Sequence, residues 1–152
     1  MESGGVHLER VGPEARTLVE KLQADAYART RAALGTQPMP LDWDYARILA
    51  ECEVWVCSRD GAPAGALILR RGKRDLYLES IATVPGAAGT GLGRAMMVAA
   101  FDRARALGLP EIRLKTNALN PALAWYNQLG FAVEREEILA DRTAVHMVAA
   151  VA

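Results

Sequence analysis

Residues 81–93 read IATVPGAAGTGLG: the end of an alternating apolar run, a proline, and then glycines at 86, 89, 91 and 93. A helical pattern follows at once. Met97, Ala100, Phe101, Ala104 and Leu107 share one face over residues 94–107, and Gly108 and Pro110 stop it. The stretch is therefore a strand, a glycine-rich turn and a helix. Residues without a Cβ let successive backbone N–H groups converge on a ligand. The helix start adds unpaired N–H groups and the positive end of its dipole. A pyrophosphate suits such a cradle, although a tight turn that holds nothing can use the same residues. Two nucleotide motifs fail on the letters. A P-loop requires Lys and then Ser or Thr after its last glycine, where this chain has Arg94 and Ala95. A dinucleotide fingerprint, counted from Gly89 and Gly91, needs glycine or alanine where Arg94 stands.

Upstream of the turn lies a meander. Residues 54–58 and 64–69 flank the hairpin turn Asp60–Gly61, Gly72 turns the chain again, and residues 76–83 run up to the proline. Before it, Val6–Val11 reads as a strand, and Pro13 opens a helix with Ala15, Leu18, Val19, Leu22 and Ala26 on its apolar side. Residues 35–40, GTQPMP, form a loop, and Asp42 or Asp44 caps a second short helix through Ile48 and Leu49. Downstream, Ile112, Leu114 and Thr116 alternate as a strand. Asn120–Pro121 then starts a helix with Ala122, Trp125, Tyr126 and Leu129 inward, and residues 131–134 and 143–151 close the chain as two strands. The order β-α-α-β-β-β-α-β-α-β-β, a meander followed by a βαβ unit, predicts an α/β (α+β) fold with a mixed sheet and helices on its faces.

The bulk properties fit one domain over residues 1–152, with no linker or repeat. Lys and Arg number 18 and Asp and Glu 18, so there is no basic excess of the kind a nucleic-acid binder carries. Cys52 and Cys57 have only His7 and His146 as further soft ligands, which is not a zinc spacing; no metal site is expected. No apolar run is long enough to span a membrane and no signal peptide is evident, so the expected location is cytoplasmic.

Three motifs in order resemble the GNAT superfamily of N-acetyltransferases. Residues 81–93 resemble its cofactor signature, with Pro85, Gly89, Gly91 and Gly93 in register. Asp60–Gly61 with Gly65 is similar to its hairpin, and residues 122–131, ALAWYNQLGF, are similar to its Tyr-to-Gly-Phe segment. Two positions depart from the pattern. Ala88 stands where Gln or Arg is usual, and Asn120 lies six residues before Tyr126 instead of seven. The resemblance implies a mostly antiparallel central sheet, splayed between the fourth and fifth strands, and acetyl-CoA as cofactor. The implied cofactor contacts are Ile81, Ala82, Thr83, Ala88, Gly89, Thr90, Gly91, Leu92, Gly93, Arg94 and Asn120. For Asn120, capping the last helix is an equal alternative.

The implied reaction moves an acetyl group to a primary amine of a small molecule or peptide, in a ternary complex. Glu79 is the candidate base. Strict alternation puts it with Tyr77, Ile81 and Thr83, away from Leu76 and Leu78. A carboxylate in mid-strand needs either work or a cationic partner on the neighbouring strand. Backbone N–H groups of residues 81–83 are the candidate carbonyl polarisers. Tyr126 is the candidate acid for the departing sulfur, or a core tyrosine on its helix's apolar side. Asp42, Asp44 and Glu51 could form an acidic rim for a cationic acceptor. The alternatives are an acyl-CoA-binding sensor without catalysis and a nucleotide-binding module of another class. The closing strand pair offers an edge through which a homodimer could form.

Overall fold

The computed structural model describes residues 2–3, 5–34, 43–87 and 90–151. Eight strands form one sheet: β1 (Glu2–Ser3), β2 (Val6–Val11), β3 (Glu53–Arg59), β4 (Ala62–Arg71), β5 (Asp75–Thr83), β6 (Glu111–Asn117), β7 (Ala132–Ile138) and β8 (Thr143–Ala150). Their spatial order is β1-β2-β3-β4-β5-β6-β8-β7. The helices are α1 (Arg16–Leu34), α2 (Tyr45–Glu51), α3 (Leu92–Leu107) and α4 (Leu123–Gln128). All neighbours pair antiparallel except β5 and β6. The two-residue β1 is an addition to the expected order, so the expected fourth and fifth strands are β5 and β6. Pro13 opens a single 3-10 turn, Pro13–Ala15, that leads into α1. The loop over residues 35–40, and Asp42, lie outside the described residues.

Period-2 alternation in the strands sends alternate residues to two cores. On one face, Leu67, Leu69, Leu76, Leu78, Ile112 and Met147 meet Leu92, Met96, Met97 and Ala100 of α3 and Tyr126 of α4. On the other, Val54, Val56, Ala66 and Ile68 meet Val19 and Leu22 of α1 and Tyr45 and Leu49 of α2. Helices therefore cover both faces, as the pattern predicts.

A β-bulge interrupts the alternation at the candidate base. Leu69 pairs with Leu78, but Ile68 pairs with Ser80, so Glu79 is the extra residue on β5. Leu76 and Leu78 face the α3 side, and beyond the bulge Ile81 packs on that side too. Ser80 instead bonds to side chains of α1. The bulge corrects the strict alternation. Glu79 stays with Tyr77 on the α1 side, where Arg70 bonds the first and stacks on the second, but Ile81 and by alternation Thr83 lie opposite.

The parallel pair separates just past this point. Asp75–Leu78 pairs with Glu111–Leu114, after which β5 continues to Thr83, while β6 continues to Asn117 along β8. Val84 donates its N–H to Ala64 O on the β4 side, at 2.9 Å. Because N–H direction alternates along a strand, Ala82 and Ser80 also face β4. Ile81 and Thr83 present their N–H and C=O groups to the opening.

Candidate active site

The glycine turn lies at the end of this opening. Gly91 has φ 88° and caps α3 at its N-terminus. The first backbone bond of the helix runs from Ala95 N to Gly91 O, at 3.0 Å. The N–H groups of Leu92, Gly93 and Arg94 thus precede the ladder, which is the anion-binding arrangement. Leu92 has a fully buried side chain, so only its backbone can meet a ligand. Gly93 lies against the Trp125 ring, Arg94 is exposed, and Thr90 Oγ1 donates to Ala87 O. Ala88 and Gly89 fall outside the described residues.

A side chain at Gly91 would meet nothing within 4 Å, so the cost of replacing it is conformational. Gly91→Ala is expected to lower stability by about 1–2 kcal/mol through the left-handed φ alone. Urea unfolding measures it, and an unchanged midpoint would mean that the turn relaxes to another conformation.

Glu79 has the cationic partner that a mid-strand carboxylate needs. Arg70 Nε donates to its Oε1 at 2.7 Å, with the Glu79 side chain 17% exposed. The bulge aims this carboxylate at the α1–α2 side of the opening, beside a buried polar group that the sequence reading missed. There Gln23 Nε2 donates to Tyr45 Oη at 3.1 Å and to Ser80 Oγ at 3.0 Å. Tyr27 Oη lies 2.9 Å from the same Ser80 Oγ. Gln23 could have been noticed: it stands between Leu22 and Ala26 on the apolar side of α1 and is fully buried.

Tyr126 comes from the other face of the sheet. It is 8% exposed and packs on Trp125 and on Phe131, with ring centroids 5.5 and 6.0 Å away. Its hydroxyl makes no hydrogen bond among the described residues. Burial pushes its pKa up, and Tyr27, reaching in from α1, adds to the shift. The phenol therefore stays protonated at neutral pH.

Asn120 works as a local cap. Its Oδ1 accepts from Ala122 N at 2.9 Å and its Nδ2 donates to Thr116 Oγ1 at 2.7 Å. The α-helix itself begins at Leu123, later than the Asn-Pro pair indicates. Two of the three rim acids are engaged locally. Asp44 caps α2 through Ala46 N and Arg47 N, and Glu51 pairs with Arg47. A cleft of about 320 Å³ opens beside the carboxyl end of β6, lined by Asn117, Ala118, Leu119, Leu139, Asp141, Arg142 and Thr143. It borders neither Glu79 nor the glycine turn.

The candidate site thus consists of a strand pair that separates near a bulge, a glycine turn at its end, and a carboxylate and a phenol from opposite faces of the sheet. A sequence profile described as the Acetyltransferase (GNAT) family matches residues 16–131. The chain belongs to the GNAT acetyltransferase family. Family membership implies acyl transfer from acyl-CoA. No curated protein sequence matches the chain. Among solved structures, the ribosomal-protein-S18-alanine N-acetyltransferase from Escherichia coli has a TM-score of 0.80 at 18% identity, covering 97% of this chain and 94% of that one. The PaiA N-acetyltransferase from Thermoplasma acidophilum, in complex with coenzyme A, has a TM-score of 0.81 at 14% identity, covering 95% and 98%. Nourseothricin acetyltransferase has a TM-score of 0.74 at 21% identity, covering 97% and 99%. At these identities the likeness is one of fold. Among the described residues, no helix is long and apolar enough to cross a membrane.

Proposed function

We propose that the chain transfers an acetyl group from acetyl-CoA to a primary amine of a small molecule or peptide, by direct attack in a ternary complex. The observation that carries this reading is the opening between β5 and β6, edged by the amides of Ile81 and Thr83 and ended by the glycine turn. Bound acetyl-CoA supplies the activated thioester and its thiolate leaving group. The N–H groups of residues 91–94 hold the diphosphate, and those of Ile81 and Thr83 donate to the thioester carbonyl oxygen, where negative charge develops. Fixed amides do this with little reorganisation. Glu79, aimed at the α1–α2 side, takes the proton of the incoming ammonium, directly or through a water molecule, on the oxygen that Arg70 leaves free. Tyr126 donates its phenolic proton toward the departing sulfur.

Glu79→Gln is expected to lower kcat/KM about 100-fold at neutral pH. The loss should shrink as pH rises and the amine arrives already neutral. Steady-state rates across pH 6–10 with an accepted amine measure it. An unchanged rate would assign Glu79 to the Arg70 ion pair alone and favour the second reading, an acyl-CoA-binding module without catalysis.

A further inference from the structure

We propose that Arg59 is a positioning residue of the phosphate cradle: it fixes the Thr90–Gly91 peptide so that the Gly91 N–H faces the bound diphosphate. The inference rests on the acyl-CoA reading above. Residues 85–93, PGAAGTGLG, contain no basic side chain. A cation reaches this turn from another strand. Trp55 and Cys57 of β3 pack on the α3 side, so alternation puts Arg59 on that side as well, at the strand's end. Cys57 pairs with Gly65 but Ser58 with Pro63, which makes Ala64 the extra residue of a second bulge. Bulges raise the local twist and re-aim side chains, and this one lies beside Arg59.

Arg59 Nη2 donates to Thr90 O at 2.7 Å. Its Nε is buried without a partner among the described residues. Several arginines of the sheet and of α3 pair with carboxylates: Arg70 with Glu79, Arg103 with Glu53, and Arg113 with Asp75, Glu111 and Glu134. Arg59 has no carboxylate partner among the described residues and directs its charge at the turn. The peptide plane then supplies the geometry. In a trans peptide the C=O of Thr90 and the N–H of Gly91 point in opposite directions. Holding the carbonyl on the guanidinium turns the Gly91 N–H away from β3, outward with the first amides of α3. The uncompensated positive charge behind the turn strengthens its attraction for an anion in front.

The test compares wild type, R59M and R59K. CoA affinity is measured by titration calorimetry, and that of pantetheine, which carries the thiol arm without the diphosphate, by displacement of CoA. The expected result is a roughly tenfold weaker CoA dissociation constant in R59M, most of it recovered in R59K, with pantetheine unaffected. R59K, which keeps a donor and the charge, also guards against misfolding of R59M. Wild-type CoA affinity in R59M would overturn the proposal, as would equal weakening of CoA and pantetheine. A wild type that binds CoA no better than pantetheine overturns the cradle itself, and the role of Arg59 with it.

Discussion

Tyr126→Phe is expected to lower the kcat of the proposed acetyl transfer about 100-fold and to leave the CoA dissociation constant unchanged. The hydroxyl has no structural work among the described residues. It makes no hydrogen bond among the described residues, and the ring alone packs on Trp125 and Phe131. Phenylalanine keeps that packing, so the variant should fold as stably as the wild type. A rate loss at equal stability and equal cofactor affinity then belongs to the chemical step. The raised pKa of Tyr126, caused by burial and by Tyr27, keeps the proton available throughout the neutral range. Single-turnover thiol release and CoA titration, on one preparation, separate the two quantities. An unchanged kcat would make Tyr126 a core residue and leave the departing thiolate to solvent.

Arg103→Met is expected to lower stability by about 2–3 kcal/mol at pH 7. Arg103 donates from Nε and Nη2 to the two oxygens of Glu53, each at 2.9 Å, and so ties α3 to β3. The Glu53 side chain is 10% exposed, so losing the guanidinium leaves a carboxylate in a poor place to be charged. Burial pushes the Glu53 carboxyl up, but the Arg103 hydrogen bonds and charge outweigh it and hold it below its ordinary 4.5. A lowered folded-state pKa gives stability that is present above the unfolded value and lost as pH falls through the folded one. In the variant burial is opposed only by the Trp55 hydrogen bond and the Arg10 charge, so acid relieves the remaining penalty. Unfolding midpoints from pH 3 to 8 should differ by roughly 5–10 °C at pH 7 and converge below the ordinary carboxyl range. A gap that does not change with pH would mean that Arg103 contributes packing alone.

Most of the fold was legible because its signals are local. Helical spacing marks α1 and α3, the Asp60–Gly61 turn marks the β3–β4 hairpin, and the glycines before α3 mark the cradle. What was not legible depends on pairing between distant segments. The bulge at Glu79 is a mismatch between β4 and β5, and alternation along one strand cannot show it. The same holds for Arg59, whose partner Thr90 lies 31 residues away, and for Gln23, which is satisfied by Ser80 from 57 residues away. Strand β7, AVEREEI, runs past the expected 131–134 because its residues are mostly exposed and carry no apolar alternation. A mid-strand carboxylate calls for a cationic partner on the neighbouring strand, and Arg70 is that partner for Glu79. Once the bulge is known, the same pair explains how Glu79 is held toward α1.

On the proposed reading, the opening between β5 and β6, with its glycine turn, binds acyl-CoA. Thermal unfolding with acetyl-CoA, CoA, ATP and NAD added separately is the measurement that decides this. At a hundred times its Kd a ligand stabilises by about 2.7 kcal/mol, a midpoint rise of roughly 5–10 °C for a chain of this length. That rise is expected with acetyl-CoA and CoA, and none with ATP or NAD. No rise with either coenzyme A species at millimolar concentration would contradict it.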